Sequence, residues 1–203
     1  MSITIYHVSG TRSIRVIWLC YELDIPCQVE VIDFGKQYRA SPGWRAKSPT
    51  GKVPAMDDGE LTIFESGAMV QYLLDRYANG LLQPKPGTPA GAFYQQWCWF
   101  AEATFARPLG DIAQHMLIRP EKERIPAVVE DGRQRAGVCL DAVEAVVRHQ
   151  DYLLDSFTAA DIMMGYSLML AERFGLLNED FPATTAYFAR LKARDGYQYA
   201  MRV

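Results

Sequence analysis

Pro54, in the stretch KVPAM at residues 52–56, stands where an apolar strand should run. A proline inside a strand removes a ladder donor, so it belongs at an edge, at a bulge or at a cis bond. A cis Val53–Pro54 bond would leave the Val53 backbone facing outward and able to hydrogen-bond an extended peptide, which is binding chemistry. Thr158 and Asp161 have the S/T-x-x-D spacing of a capping box ahead of an apolar run, with Phe157 and Ile162 placed as a hydrophobic staple. Their chemistry is folding, and Asp161 is set apart from catalysis on that ground. Structural zinc and dithiol redox chemistry find no support, because Cys20, Cys27, Cys98 and Cys139 form no C-x-x-C pair and no cluster with the three histidines. They read as buried thiols.

The elements that must position these residues follow from periodicity. Residues 2–8, SITIYHV, alternate as a strand, and Ile14, Ile17, Trp18 and Tyr21 then have helical spacing. In PCQVEVIDF, Cys27, Val29 and Val31 alternate with Gln28 and Glu30, which predicts a second strand parallel to the first and a right-handed βαβ unit. The polar segment 35–51 holds at most a short helix. VPAMDD and LTIFES predict a hairpin around Asp58-Gly59, and Met69, Val70, Leu73, Leu74 and Tyr77 predict a helix opening at Glu65 and Ser66. The first part of the chain thus reads β-α-β-loop-β-β-α. LLQPKPGTPAG, with three prolines and two glycines, predicts a linker, and every long segment after it has helical period.

Composition bounds the function. The 203 residues allow one large domain or two small ones, and 49% hydrophobic with 22% charged residues is ordinary globular composition. A net charge of −3 supplies no basic field, which argues against a nucleic-acid partner, and nothing in the charge balance favours a membrane surface. The N-terminal stretch lacks the basic-then-apolar order of a signal peptide, and the apolar run IMMGYSLMLA is too short to span a bilayer. A soluble, cytoplasmic protein is expected.

GKVPAM followed by FESGAMVQYL, and FTAADIMM late in the chain, together with the element order, resemble the soluble, cytosolic-type glutathione S-transferases over essentially the whole length. The resemblance is to bacterial-like members with a serine/threonine-type active-site turn. It implies an α+β, thioredoxin-like domain over 1–80, a linker over 81–90 and an all-helical domain over 91–203. It also implies a homodimer serving detoxification, with glutathione as co-substrate, an apolar electrophile as second substrate, and no metal.

Site residues come with the resemblance. Val53 would pair with the cysteinyl residue of glutathione like an added strand, with Pro54 keeping the Val53 N–H and C=O available. Glu65 and Ser66 would take the γ-glutamyl end while also capping their helix, and Lys52, or Arg45 or Lys36, would reach the glycine carboxylate. The thiolate is the nucleophile, and the family holds it at the turn after the first strand, here HVSGTRSIRV with the hydroxyls of Ser9, Thr11 and Ser13. Aligning Arg15 and Val16 with the Arg that opens the helical run of serine-type members puts Thr11 at the catalytic position, a departure from Ser, with Ser9 and then Ser13 behind it. Arg12 is an electrostatic helper, and it stands where cysteine-type members would carry Cys, which argues against a mixed-disulfide mechanism. Thr11 or Ser13 could instead do no more than cap the helix. Tyr6 resembles a structural aromatic. The electrophile pocket is implied between the domains, lined from Tyr94, Trp97, Phe100, Ala101, Phe105 and Arg107. The same fold also admits a non-catalytic glutathione-binding or protein-interaction module, or a glutathione-dependent isomerase, peroxidase or lyase. The Ser-Ser-Cys motif of zeta-type isomerases is replaced by SGTRS.

Overall fold

The computed structural model describes residues 3–203; Ser2, expected to open the first strand, lies outside them. Two compact units emerge, Met1–Leu82 with Lys192–Val203, and Gln83–Leu191.

In the first unit, β1 (Ile3–His7) is buried almost throughout because it is an inner strand. The sheet order is β2-β1-β3-β4, with β2 at Cys27–Val31, β3 at Ala55–Asp58 and β4 at Leu61–Phe64. β1 and β2 are parallel and flank α1 (Ser13–Glu22), as the βαβ pattern predicts, while β3 is antiparallel to both β1 and β4. Asp58 still pairs with Leu61, so the hairpin turns on Gly59 and Glu60, with Gly59 at φ 63°. The polar segment forms two short helices, α2 (Lys36–Ala40) and α3 (Pro42–Lys47), where at most one was expected. Ser41 makes the second possible: its side chain accepts the Trp44 N–H and caps α3. α4 (Ser66–Tyr77) follows β4 and packs on α1.

Two carboxylates at the β3 end of the sheet tie this unit together. Asp57 accepts from Tyr6, Lys47 and Thr62, and Asp58 from Tyr72 and Tyr77. Burial works to raise both carboxyls, but these donors outweigh it and hold each below the ordinary carboxylate range. A depressed folded-state pKa stabilises the fold above the unfolded value, and that contribution is lost as pH falls through the folded value. Asp58→Asn should therefore flatten the loss of stability below about pH 4. Urea midpoints measured at several acid pH values check this, and an unchanged slope would contradict it.

The second unit contains α5 (Pro89–Trp99), α6 (Ala106–Ala113), α7 (Pro126–Val147), α8 (Ala159–Arg173) and α9 (Pro182–Lys192). α5, α7 and α9 begin on proline, whose fixed φ and missing N–H suit the first helical position. The run AFYQQWCWFAEATFARPL, one of the segments of helical period after the linker, is interrupted by a π-helical segment, Phe100–Phe105. Pro108 is the reason: it offers no N–H to the Thr104 carbonyl and its ring would crowd it, so the preceding turn widens. The Cys139 thiol of α7 points to that carbonyl at 4.0 Å. Glu144 of α7 accepts the N–H groups of Ala183 and Thr184 and the Thr184 hydroxyl at 3.1, 2.7 and 2.8 Å, a cap for α9 supplied by another helix.

The chain then returns to the first unit as α10 (Asp195–Arg202), which packs on α1. Glu22 accepts the Trp18 indole N–H and both arms of Arg194, and Tyr197 meets Trp18 edge-on at 5.2 Å. Gly196 makes this approach possible, since a Cβ there would lie 2.6 Å from Trp18 Cδ1 and 2.9 Å from Glu22 Oε1. Gly196→Ala should destabilise the protein by about 1–3 kcal/mol, the usual cost of overpacking. An unfolding midpoint equal to that of the wild type would refute the close contact.

Candidate active site

Between β1 and α1 the chain turns through Val8–Arg12, with Gly10 at φ 73°. Here the three hydroxyls part company. Ser9 is exposed, Thr11 half-buried, and Ser13, at the first position of α1, fully buried. The Thr11 N–H and hydroxyl both reach the Val8 carbonyl, at 3.3 and 2.7 Å. Thr11 Oγ1 lies 2.7 Å from Ser13 Oγ, which lies 2.8 Å from His7 Nδ1. His7 Nε2 in turn lies 2.9 Å from the Val203 carbonyl. Neither hydroxyl caps α1: the N-cap position is Arg12, and it makes no side-chain cap bond. In the sequence His7 stands out only as a polar residue near the end of an apolar strand.

Arg15, used in the sequence only to set the register, is fully buried in the first turn of α1, and its Nη1 donates to Ser66 Oγ at 3.2 Å. Ser66 opens α4 and is itself buried. One side chain thus links the N-terminal ends of two helices, where unpaired N–H groups and the helix dipoles favour negative charge. Glu65 is exposed at the N-cap of α4, with φ 77° and ψ 109°. It makes no side-chain cap bond, contrary to the expectation that it would cap α4, because an N-cap bond needs an extended backbone. Holding a non-glycine residue in such a conformation costs about 1–3 kcal/mol.

The Val53–Pro54 bond is cis, and the ladder of β3 begins only at Ala55, so the Val53 backbone lies outside it. Val53 is half-buried, Pro54 buried and Lys52 exposed, with the Lys52 N–H bonded to Ser48 Oγ at 3.1 Å. Arg12 is half-buried and Lys36 exposed, while Arg45 is turned to the Pro49 carbonyl. Tyr6 is taken up by Asp57, by the Trp44 ring at 5.8 Å and by Lys47 over its face. Four of the six residues expected to line an electrophile pocket, Tyr94, Trp97, Ala101 and Phe105, are buried where α5 and the π-helical segment pack on α8. Phe100 is half-buried and Arg107 exposed. Cys20 and Cys139 are buried as expected, but Cys27 and Cys98 are only half so. Among the described residues no group of three or more His, Cys, Asp or Glu is placed to hold a metal ion, and no helix is long and apolar enough to cross a membrane.

Residues 1–75 match the family described as "Glutathione S-transferase, N-terminal domain". Over 184 residues the chain is 26% identical to glutathione S-transferase 3 of Schizosaccharomyces pombe, covering 84% of this chain and 75% of that protein. The fold is similar along its length to the glutathione transferase URE2P6 from Phanerochaete chrysosporium in complex with oxidized glutathione, with TM-score 0.89, 27% identity and coverage of 99% and 95%. It is similar also to the theta class glutathione S-transferase from Xanthomonas axonopodis pv. citri with glutathione bound, with TM-score 0.83, 29% identity and coverage of 100% and 98%. The mixed four-stranded sheet is thus a thioredoxin-like domain followed by a helical unit, and residues 1–75 carry the glutathione S-transferase N-terminal domain within a chain whose fold is similar along its length to glutathione transferases.

Proposed function

We propose that this chain is a glutathione transferase in which Thr11 holds the glutathione thiol as thiolate for attack on an apolar electrophile. Lowering the thiol pKa by one unit needs about 1.4 kcal/mol, within reach of one hydroxyl donor beside a helix N-terminus. Thr11 is favoured over its neighbours by exposure: Ser13 is fully buried and bonded to His7, and Ser9 faces solvent.

The Arg15–Ser66 bond carries the reading, because it brings the N-terminal ends of α1 and α4 within one side chain of each other. Glutathione has two anionic groups suited to such ends, the thiolate and the γ-glutamyl carboxylate. In this reading Ser66 and the α4 N-terminus take the carboxylate, and Glu65, exposed and not engaged as a cap, takes the ammonium. The Val53 backbone, just ahead of Pro54, pairs with the cysteinyl peptide, and Lys52 and Arg12 supply positive charge. Oxidized glutathione in the P. chrysosporium structure and glutathione in the Xanthomonas structure support the choice of ligand. Phe100 and Arg107 are the two proposed lining residues that keep exposed surface. The working form is a cytoplasmic homodimer serving detoxification.

Calorimetric titration with glutathione tests the site. Ser66→Ala and Glu65→Ala should each weaken binding about tenfold or more, the worth of a hydrogen bond to a charged group. Wild-type affinity in both variants would sink the assignment.

A further inference from the structure

Cys20 and Cys27 stand seven residues apart, outside any C-x-x-C spacing, yet the fold brings their thiols together. α1 ends in a Schellman turn. Asp24 is its left-handed residue at φ 52°, the Ile25 N–H bonds the Cys20 carbonyl at 2.9 Å, and the Asp24 N–H bonds the Tyr21 carbonyl at 3.2 Å. The chain so reversed enters β2 at Cys27, in register with Ile3 of β1. Both cysteines line one open groove of about 310 Å³ beside Tyr21, Asp24, Ile25, Pro26 and Tyr199. The Cys20 S–H donates to Cys27 Sγ. Cys27 is half-buried, whereas Cys20, 1% exposed, lies behind it.

We propose that Cys20 and Cys27 are a dithiol site that a small neutral hydroperoxide oxidises to a disulfide, with Cys27 attacking and Cys20 resolving. The Cys27 thiolate attacks the terminal peroxide oxygen and the O–O bond breaks. A sulfenic acid forms on Cys27, and the departing oxygen takes up the proton that Cys27 released, leaving as alcohol or water. The Cys20 sulfur then attacks Cys27 Sγ, the S–O bond breaks, and hydroxide leaves with the Cys20 proton as water. The two thiols lose two electrons and the peroxide gains them. Two equivalents of a small thiol return the pair to the dithiol by exchange. Nothing in these steps draws on the glutathione site.

Position assigns the two parts. Cys27 is the thiol that solvent-borne reagents reach, and Cys20, behind it, meets only what Cys27 becomes. The S–H bond from Cys20 holds the Cys27 thiol below its ordinary range, against the burial that would raise it, and thiolate is the attacking form. The same bond, with burial and the Cys27 charge, pushes Cys20 up, so it stays a thiol until the sulfenic acid has formed. Among the described residues lining the groove the charged side chain is Asp24, with no lysine, arginine or histidine. An anionic oxidant is therefore repelled and a neutral one is not. The groove stands at the lower end of the size range of small-molecule sites, which suits a small peroxide.

Hydrogen peroxide treatment of the intact wild-type protein, followed by alkylation and tryptic mass mapping, tests the site, because residues 16–36 carry both cysteines in one peptide. That peptide should lose two hydrogens and resist alkylation, two of the four thiols should disappear together, and dithiothreitol should restore both. Cys98, likewise half-buried, should react about tenfold more slowly. Cys20→Ala should stop at a sulfenic acid on Cys27 that dimedone traps, and Cys27→Ala should slow loss of the Cys20 thiol by about tenfold or more. Sulfinic acid on Cys27 with Cys20 still open to alkylation in the wild type overturns the dithiol, as does oxidation of Cys20 at the wild-type rate in Cys27→Ala. The wild-type peptide decides the matter even where a variant at buried Cys20 folds poorly.

Discussion

Thr11→Val will lower the conjugation rate near neutral pH by about 10- to 100-fold, the effect of losing one hydrogen bond to a developing or full negative charge. The substitution is nearly isosteric, keeps the β-branched shape and leaves the backbone N–H of residue 11 bonded to Val8. What disappears is the hydroxyl bonded to Val8 and Ser13, and with it the proposed donor to the thiolate. A donor that stabilises thiolate lowers the thiol pKa, so its loss raises that pKa. The deficit should therefore be greatest on the acid side and shrink as pH rises, where the thiol ionises unaided. The expected profile is displaced to higher pH with its plateau kept, and the absorbance of the bound thiolate should move by the same amount. If the profile stays where it is, Thr11 is not the donor and Ser9, the other accessible hydroxyl, takes its place.

Asp161→Ala should cost about 3 kcal/mol or more, the largest stability effect expected of a single substitution in the helical unit. The carboxylate is fully buried and accepts four bonds: Leu153 N–H at 2.9 Å, Thr158 N–H at 2.8 Å, the Thr158 hydroxyl at 3.2 Å and the Tyr187 hydroxyl at 2.7 Å. It closes the capping box of α8 and ties that helix to the loop before it and to α9. Burial pushes its pKa up against the pull of its donors. A raised folded-state pKa means that ionisation by itself opposes folding, with its penalty growing as pH rises through the folded value. The stabilisation thus lies in directed bonds, and alanine would leave buried donors without an acceptor. Asp161→Asn retains Oδ1 for Leu153 and Tyr187 and should lose less than alanine, while Thr158→Ala should lose about 1 kcal/mol as an ordinary cap. Urea unfolding of the three variants checks the order, and an Asp161→Ala loss no larger than that of Thr158→Ala would show the network to be unimportant.

Much of this architecture was legible in one dimension because its signals are local. Alternation at Cys27–Val31, helical spacing at Met69–Tyr77, the turn glycine at 59 and the box at Thr158 and Asp161 each act within a few residues, where backbone geometry ties neighbours together. The two short helices of the polar segment and the π-helical break before Pro108 were less visible, since they depend on a single cap or a single missing N–H.

By itself the sequence determined the order of elements, the proline before β3, the serine that opens α4 and the three hydroxyls after β1. Only the tertiary structure decided what each of these groups meets. Arg15 and Ser66 are 51 residues apart, and His7 and Val203 are 196 apart. It also buried Ser13, left Thr11 part-exposed, and sank four aromatic-helix positions into packing. The physical reason is that hydrophobic period tells which face of an element is buried, whereas a hydrogen-bond partner is chosen by angstrom-scale placement of elements distant in the chain.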